Sequence, residues 1–346
     1  MELNLTSSKT TAAVKSGRLA SLDALRGFDM LMISGGGAFL SLMGGKTNLA
    51  FIDAVAAQFQ HPDWNGFTFY DFIFPLFLFM AGTSLSFSLR SGLAKGISKA
   101  DLAKKVAKRM VILFFFGILD KNAPLDIFDP AHIRYGTVLG RIGIATFIAA
   151  LLYMNFSGKQ MLSIAAAILI LYFAALMLIP APGFSAGDLT FEGNLVGWLD
   201  RNFMPGRLKQ TTYDELAMTT QLSATCLTIF GCLAGDLLQK NLTVNQKLSQ
   251  LSLMGVVGVV AGLVWSLVFS LNKHLWSSSF ILVTAGMSCL LVVLFYWIID
   301  VKKYSRWAFF FKVIGMNSLA IYLLCRFVDF GHSSKLLFAG LYNHLP

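Results

Sequence analysis

One stretch of this 346-residue chain gathers side chains that can do chemistry: HPDWNGFTFYDFIFPLFLFMAG, residues 61–82. It opens with His61, Asp63, Trp64 and Asn65 and then enters an apolar run with Asp71 near its start. Histidine is the side chain whose unperturbed pKa, about 6.5, allows proton uptake and release near neutrality, and it can act as a base or as a nucleophile. An ionisable residue inside a membrane helix is expensive and marks a functional site by default. The same residues admit a blander reading, in which His61 is a surface side chain beside Pro62. Arg141 lies about one turn into a later apolar run, at the depth of Asp71. The matched depths predict an Asp71–Arg141 pair, serving either the site or a clamp between helices.

Three further groups carry possible chemistry. In RLASLDALRGFDMLMISGGG, residues 18–37, Asp23, Arg26 and Asp29 share one helix face. Arg26 is placed to meet an anionic ligand or to be neutralised by its neighbours. Gly35, Gly36 and Gly37 permit close backbone approach, by a ligand or by another helix. Lys104, Lys105, Lys108 and Arg109 form a basic helical patch. That patch can hold the phosphates of a cytosolic cofactor, or it can anchor the chain to anionic lipid. A Walker A loop, a GxSxG elbow, an HExxH pair and a clustered Cys/His metal set are all missing from the sequence, so no metal is expected.

The elements that position these residues follow from composition. The chain is 56% hydrophobic and 13% charged, against about 25% charged in a soluble domain, and its mean hydropathy is +0.66. That excludes an ordinary soluble enzyme, a disordered chain and a disulfide scaffold. The expected fold is an all-α polytopic membrane bundle. Spans of about 20 apolar residues are predicted at roughly 27–44, 67–89, 106–119, 136–156, 161–180, 216–236, 248–271, 275–299 and 308–326, nine in all. The four cysteines fall in these runs and read as small buried hydrophobes.

The net charge of +10 sits in short loops rather than in a stripe, so no nucleic acid partner is expected. With the N-terminus cytoplasmic, seventeen Lys and Arg, including Lys9, Lys15 and Arg18, lie inside and eight outside. The long loops, at about 45–66, 120–135 and 181–215, then lie outside, together with all five histidines: His61, His132, His274, His332 and His344. The stretch 50–60 reads as an interfacial amphipathic segment. The first 20 residues are polar, without a signal-peptide h-region, so the first span is expected to direct insertion. The domain reading is a cytoplasmic tail, 1–26, and a single transmembrane domain, 27–346.

With these residues in view, the chain resembles the transmembrane acetyltransferase family of heparan-alpha-glucosaminide N-acetyltransferase, in particular its bacterial relatives. SLDALRGFDM at 21–30 looks like the family's opening S-x-D-x-x-R-G signature. HPDWNGFTFYDFIFPLFLFMAG is similar to its H-x-x-W-x-G-x-T-x-x-D-x-x-F-P-x-F motif, the most specific match, and GTVLGRIGIA at 136–145 to its G-x-L-Q-R-I-G element. Weaker likeness continues through NKHLWSSSFILVTAGMSCL at 272–290 and IGMNSLAIY at 314–322.

The resemblance implies transfer of an acetyl group from cytosolic acetyl-CoA to an amino-sugar or glycan acceptor across a bacterial inner membrane. It implies that His61 is catalytic, as general base or acetyl carrier, with Asp71 and Arg141 as its companions. Asp71 would orient His61 or hold Arg141, two competing roles. Acetyl-CoA is expected near Arg26, the 104–109 patch (Lys104 and Lys108 above all) and the Gly35–Gly36 break, and the acceptor at Asp63, Trp64 and Asn65. Family members carry an Asn in the first span where this chain has Ile33 and Ser34, and they commonly continue into a further span beyond Pro346. The other readings are a transporter or flippase without group transfer, and a non-catalytic relative. The expected surroundings are the lipid bilayer, with a homodimer left open.

Overall fold

The computed structural model describes residues 19–46 and 48–342. The expected tail through residue 18, with Lys9, Lys15 and Arg18, and also His344 and Pro346, lie outside the described residues. Fourteen α-helices are described: α1 (Ala20–Leu31), α2 (Gly37–Leu42), α3 (Ala50–Ala57), α4 (Phe69–Ala94), α5 (Lys99–Lys121), α6 (Val138–Asn155), α7 (Gly158–Leu178), α8 (Leu195–Phe203), α9 (Gln221–Gln239), α10 (Val244–Trp265), α11 (Ser278–Phe295), α12 (Phe309–Met316), α13 (Ser318–Phe327) and α14 (Phe330–Tyr342). The described residues contain no strand, only an isolated bridge between Arg134 and Gly206. α1 starts at Ala20, within the stretch read as tail.

Among the described residues, six helices are long and apolar enough to cross a membrane: α4, α6, α7, α9, α10 and α11, the last carried on to Val301 by a wider turn. They match six of the nine expected spans. The pair α12 and α13 is bent by 77° at Asn317 and makes at most one broken span. The first expected span is also broken. Gly35 sits at φ 142° between α1 and α2, a conformation open to glycine and strained for any residue with a Cβ. The third expected span lies in α5, which begins at Lys99, ahead of the expected start at 106, and its lysines deny it an apolar window. About nine therefore becomes six, or seven with the bent pair.

Local sequence sets the helix starts. Ser98, Thr137, Ser157, Asn194, Thr243 and Ser277 each accept a first-turn backbone N–H at the head of α5, α6, α7, α8, α10 and α11. The centre of the bundle is α4 against α9, with α6 and α11 beside them. Backbone meets backbone there because two glycines allow it. A Cβ on Gly231 would stand 2.0 Å from Phe79 O, and one on Gly82 2.0 Å from Thr228 O. Gly231→Val is therefore expected to force α4 and α9 apart and to cost about 3 kcal/mol or more. A melting temperature within about 2 °C of wild type would refute that packing argument.

The segments 122–137, 179–220 and 266–277 meet the loop 58–68 at one end of the bundle. His61, His132 and His274 all lie at this end.

Candidate active site

The loop ahead of α4 delivers His61 to the helix start. Asp71 is the third residue of α4, where its Oδ2 accepts the Thr68 backbone N–H at 3.1 Å. The Thr68 hydroxyl bonds to Gln60 O at 2.9 Å, next to His61. With Oδ2 tied in this way, Oδ1 faces outward and lies 2.6 Å from His61 Nδ1. Asp71 is 1% exposed while the His61 side chain is 45% exposed, so a buried carboxylate orients a histidine that solvent can reach. Tyr70 stacks on the imidazole at 4.9 Å and 14°. A Cβ on Gly37 would stand 2.4 Å from the Tyr70 ring. Gly37 thus serves the packing of Tyr70, and neither Gly35 nor Gly36 is among the residues lining the cavity between α1 and α4.

The partner of Asp71 is not Arg141. Lys273 Nζ takes that place, 3.3 Å from Asp71 Oδ1, and lies 3.3 Å from His61 Nδ1 and 3.2 Å from Nε2. Burial lowers the pKa of Lys273 against the opposing pull of Asp71 and Glu215. Arg141 is 2% exposed, donates to Ala217 O at 3.1 Å and to the Thr220 hydroxyl, and packs 4.7 Å over the Trp276 ring. Trp276 has φ +48°, a strained value for a bulky residue. Arg141, Phe74 and Phe280 pack around it. Arg141 therefore holds two loops in register, and its contact with the site runs through Trp276 and the 217–220 turn.

A cavity of about 260 Å³ opens among α1, α4, α5, α6, α12 and α13. Its α4 wall is Phe74, Phe77, Ala81 and Ser84, so it runs about 15 Å along the helix and ends about one turn from Asp71. Far from His61 it is polar: Arg26 donates to the Ser84 hydroxyl and lies 3.5 Å from Asp23, and Arg109 lines the same region. Lys104 and Lys108 are exposed and do not line it. Of the residues expected near the donor, Arg26 and, from the 104–109 patch, Arg109 line this cavity.

Residues 18–188 match a family described as "Domain of unknown function (DUF5009)". The chain is 25% identical to heparan-alpha-glucosaminide N-acetyltransferase of Homo sapiens over 361 residues, covering 88% of this chain and 52% of that protein. The Mus musculus protein of the same name is 24% identical over 369 residues, covering 90% of this chain and 54% of its own length. The chain is a distant relative of heparan-alpha-glucosaminide N-acetyltransferase. It spans about half the length of these curated relatives.

In this relative of heparan-alpha-glucosaminide N-acetyltransferase, the expected acceptor residues behave differently from one another. Asp63 is exposed, and Asn65 accepts from Asn272 Nδ2 at 3.0 Å. Trp64 donates to Leu189 O at 2.8 Å and packs among His274, Phe191 and Tyr213. Sequence reasoning missed Lys273, which it counted as a loop charge, and also Glu215. Burial would raise the pKa of Glu215, but His274, Lys209 and Lys273 hold it well below the usual carboxylate range. The one available signal for Lys273 and His274 was their place in the NKHLW stretch.

Proposed function

We propose that the chain is a membrane-embedded acyltransferase that moves an acetyl group from acetyl-CoA to the amine of an amino sugar at the His61 end of the bundle. The observation that carries this reading is the His61–Asp71 pair, set one helical turn from a cavity whose far end holds Arg26 and Arg109. The names of the relatives supply the reaction class. In this reading the N-terminus is cytoplasmic, the membrane is a bacterial inner membrane, and the acceptor binds outside.

The cavity suits the donor's slim arm rather than the whole coenzyme. It is smaller than the roughly 300–1,000 Å³ of pockets that enclose a drug-sized ligand. The acylated arm lies along the apolar wall, Arg26 and Arg109 meet phosphate, and Lys104 and Lys108 draw the nucleotide from the membrane surface. At the other end Asp71 accepts the His61 Nδ1 proton, which leaves the lone pair on Nε2. Nε2 either deprotonates the acceptor amine as it attacks the thioester, or takes the acetyl group first. The Lys273 ammonium, 3.2 Å from Nε2, supplies positive charge beside the oxygen that turns negative on attack. Trp64 and its aromatic neighbours offer the sugar a stacking face.

The test is transfer of labelled acetyl from acetyl-CoA by detergent-purified protein, with and without glucosamine. Acceptor-dependent product supports the reading, and label trapped on the protein without acceptor selects the acetyl-carrier route. A second reading, a transporter, draws on the helix breaks at Gly35 and Asn317, since discontinuous helices line transport sites. It predicts substrate flux in vesicles that ignores acetyl-CoA, with no transfer.

The donor site gives a separate expectation. Acetyl-CoA at about 100 times its Kd should stabilise the protein by about 2.7 kcal/mol. Arg26→Ala should weaken donor binding about tenfold, for one lost charge-assisted contact. Equal thermal shifts in the two proteins across a titration would remove Arg26 from the donor site.

A further inference from the structure

A second histidine–carboxylate pair stands beside the first. The loops carrying the two pairs are fastened together: Gly66 N–H donates to Leu271 O at 2.9 Å, and Asn272 Nδ2 to Asn65 Oδ1 at 3.0 Å. From this seam Lys273 reaches His61, while His274 stacks on Trp64 at 5.2 Å and 14°. His274 Nδ1 lies 3.4 Å from Glu215 Oε2, and the other Glu215 oxygen accepts from Lys209 Nζ at 2.8 Å. The arrangement resembles the His61–Asp71 pair in having a carboxylate oxygen facing Nδ1, at a longer distance. His274 is partly exposed, on the aromatic face assigned above to the sugar.

The acetyl-carrier route needs such a group. An amino sugar arrives as an ammonium ion, which has no lone pair, and a His61 that carries the acetyl group has no free Nε2 to act as base. We infer that His274, oriented by Glu215, takes the proton from the acceptor ammonium while His61 carries the acetyl group. This inference rests on the acetyltransferase reading.

In the first half, His61 Nε2 bonds to the thioester carbonyl carbon, the C–S bond breaks, and the thiolate takes a proton from water. In the second half, the ammonium gives one proton to His274 Nε2. The amine then bonds to the acetyl carbon, the carbon–Nε2 bond breaks, and its electron pair returns to His61. The surplus amide proton and the proton on His274 leave to water. Acetyl-CoA and an ammonium thus become an acetamide, the thiol and one net proton. The titratable and charged groups around His274 are Glu215, Tyr213, its neighbour Lys273 and, through Glu215, Lys209.

The test follows kcat/KM for glucosamine from pH 6 to pH 9 in wild type, His274→Gln and Glu215→Gln, all as the full chain. His274→Gln should lose about 100-fold at pH 6. The deficit should shrink to within about threefold at pH 9, where the amine arrives already deprotonated. Glu215→Gln should follow the same trend with a smaller loss. Loading of labelled acetyl onto the protein without acceptor should match wild type in both variants, which also shows that they fold. A deficit equal at every pH, or no deficit, overturns the inference while wild-type transfer keeps the acetyltransferase reading intact. A wild-type protein that neither loads nor transfers acetyl removes both.

Discussion

His61→Ala is expected to lower acetyl transfer at least about 10³-fold while leaving the fold and donor binding in place. General acid–base catalysis is worth about 10²–10⁴, and a carrier role would raise the loss further. The fold should survive because His61 is half-exposed and its removal strips Asp71 of only one partner. Lys273 remains 3.3 Å away and the Thr68 N–H still caps the other oxygen. Donor binding should survive because the cavity is lined by other residues. The measurement pairs labelled-acetyl transfer with the thermal shift given by acetyl-CoA. Transfer above about a tenth of wild type would sink the assignment of His61.

Asp71→Asn should cost about 10²–10³ in kcat with little change in the KM for donor. The amide keeps the shape but not the charge, and its NH₂ can face Nδ1, which would move the lone pair off Nε2. The substitution also strands the Lys273 ammonium, whose side chain is 15% exposed, without its carboxylate. Breaking a buried pair from one side costs far more than removing both charges. The double variant Asp71→Asn/Lys273→Met should therefore melt higher than Asp71→Asn alone while remaining as inactive. A double variant destabilised by the sum of the two single variants, Asp71→Asn and Lys273→Met, would show that Asp71 and Lys273 are not energetically coupled.

Much of the architecture was legible because hydropathy is a local property. A run such as 161–180 or 275–299 must form a helix in lipid to satisfy its own backbone, whatever its neighbours are. Six spans were readable on that basis. The pattern failed where local geometry rather than polarity decides: at Gly35, which breaks the first apolar run, and at Asn317, which bends the last. His61 and Asp71 were readable as neighbours because they are ten residues apart, joined by one loop and one helix start, whereas the choice of Asp71 between His61 and Arg141 was not readable. Their adjacency needs no distant element.

The partners of charge were not readable. Equal depth suggested Asp71–Arg141, but depth says nothing of how each helix is rotated or which loop folds over its end. Packing turns Arg141 towards Trp276 and the 217–220 turn, and brings Lys273 to Asp71 from 202 residues away. The same closure sets His274 against Glu215 and collects the cavity walls from six helices. The sequence by itself determined an all-helical membrane chain with a histidine and an aspartate at one helix start. The tertiary structure alone decided which cation meets them and which carboxylate meets His274. Such contacts depend on helix rotation and loop closure, which no window of neighbouring residues encodes.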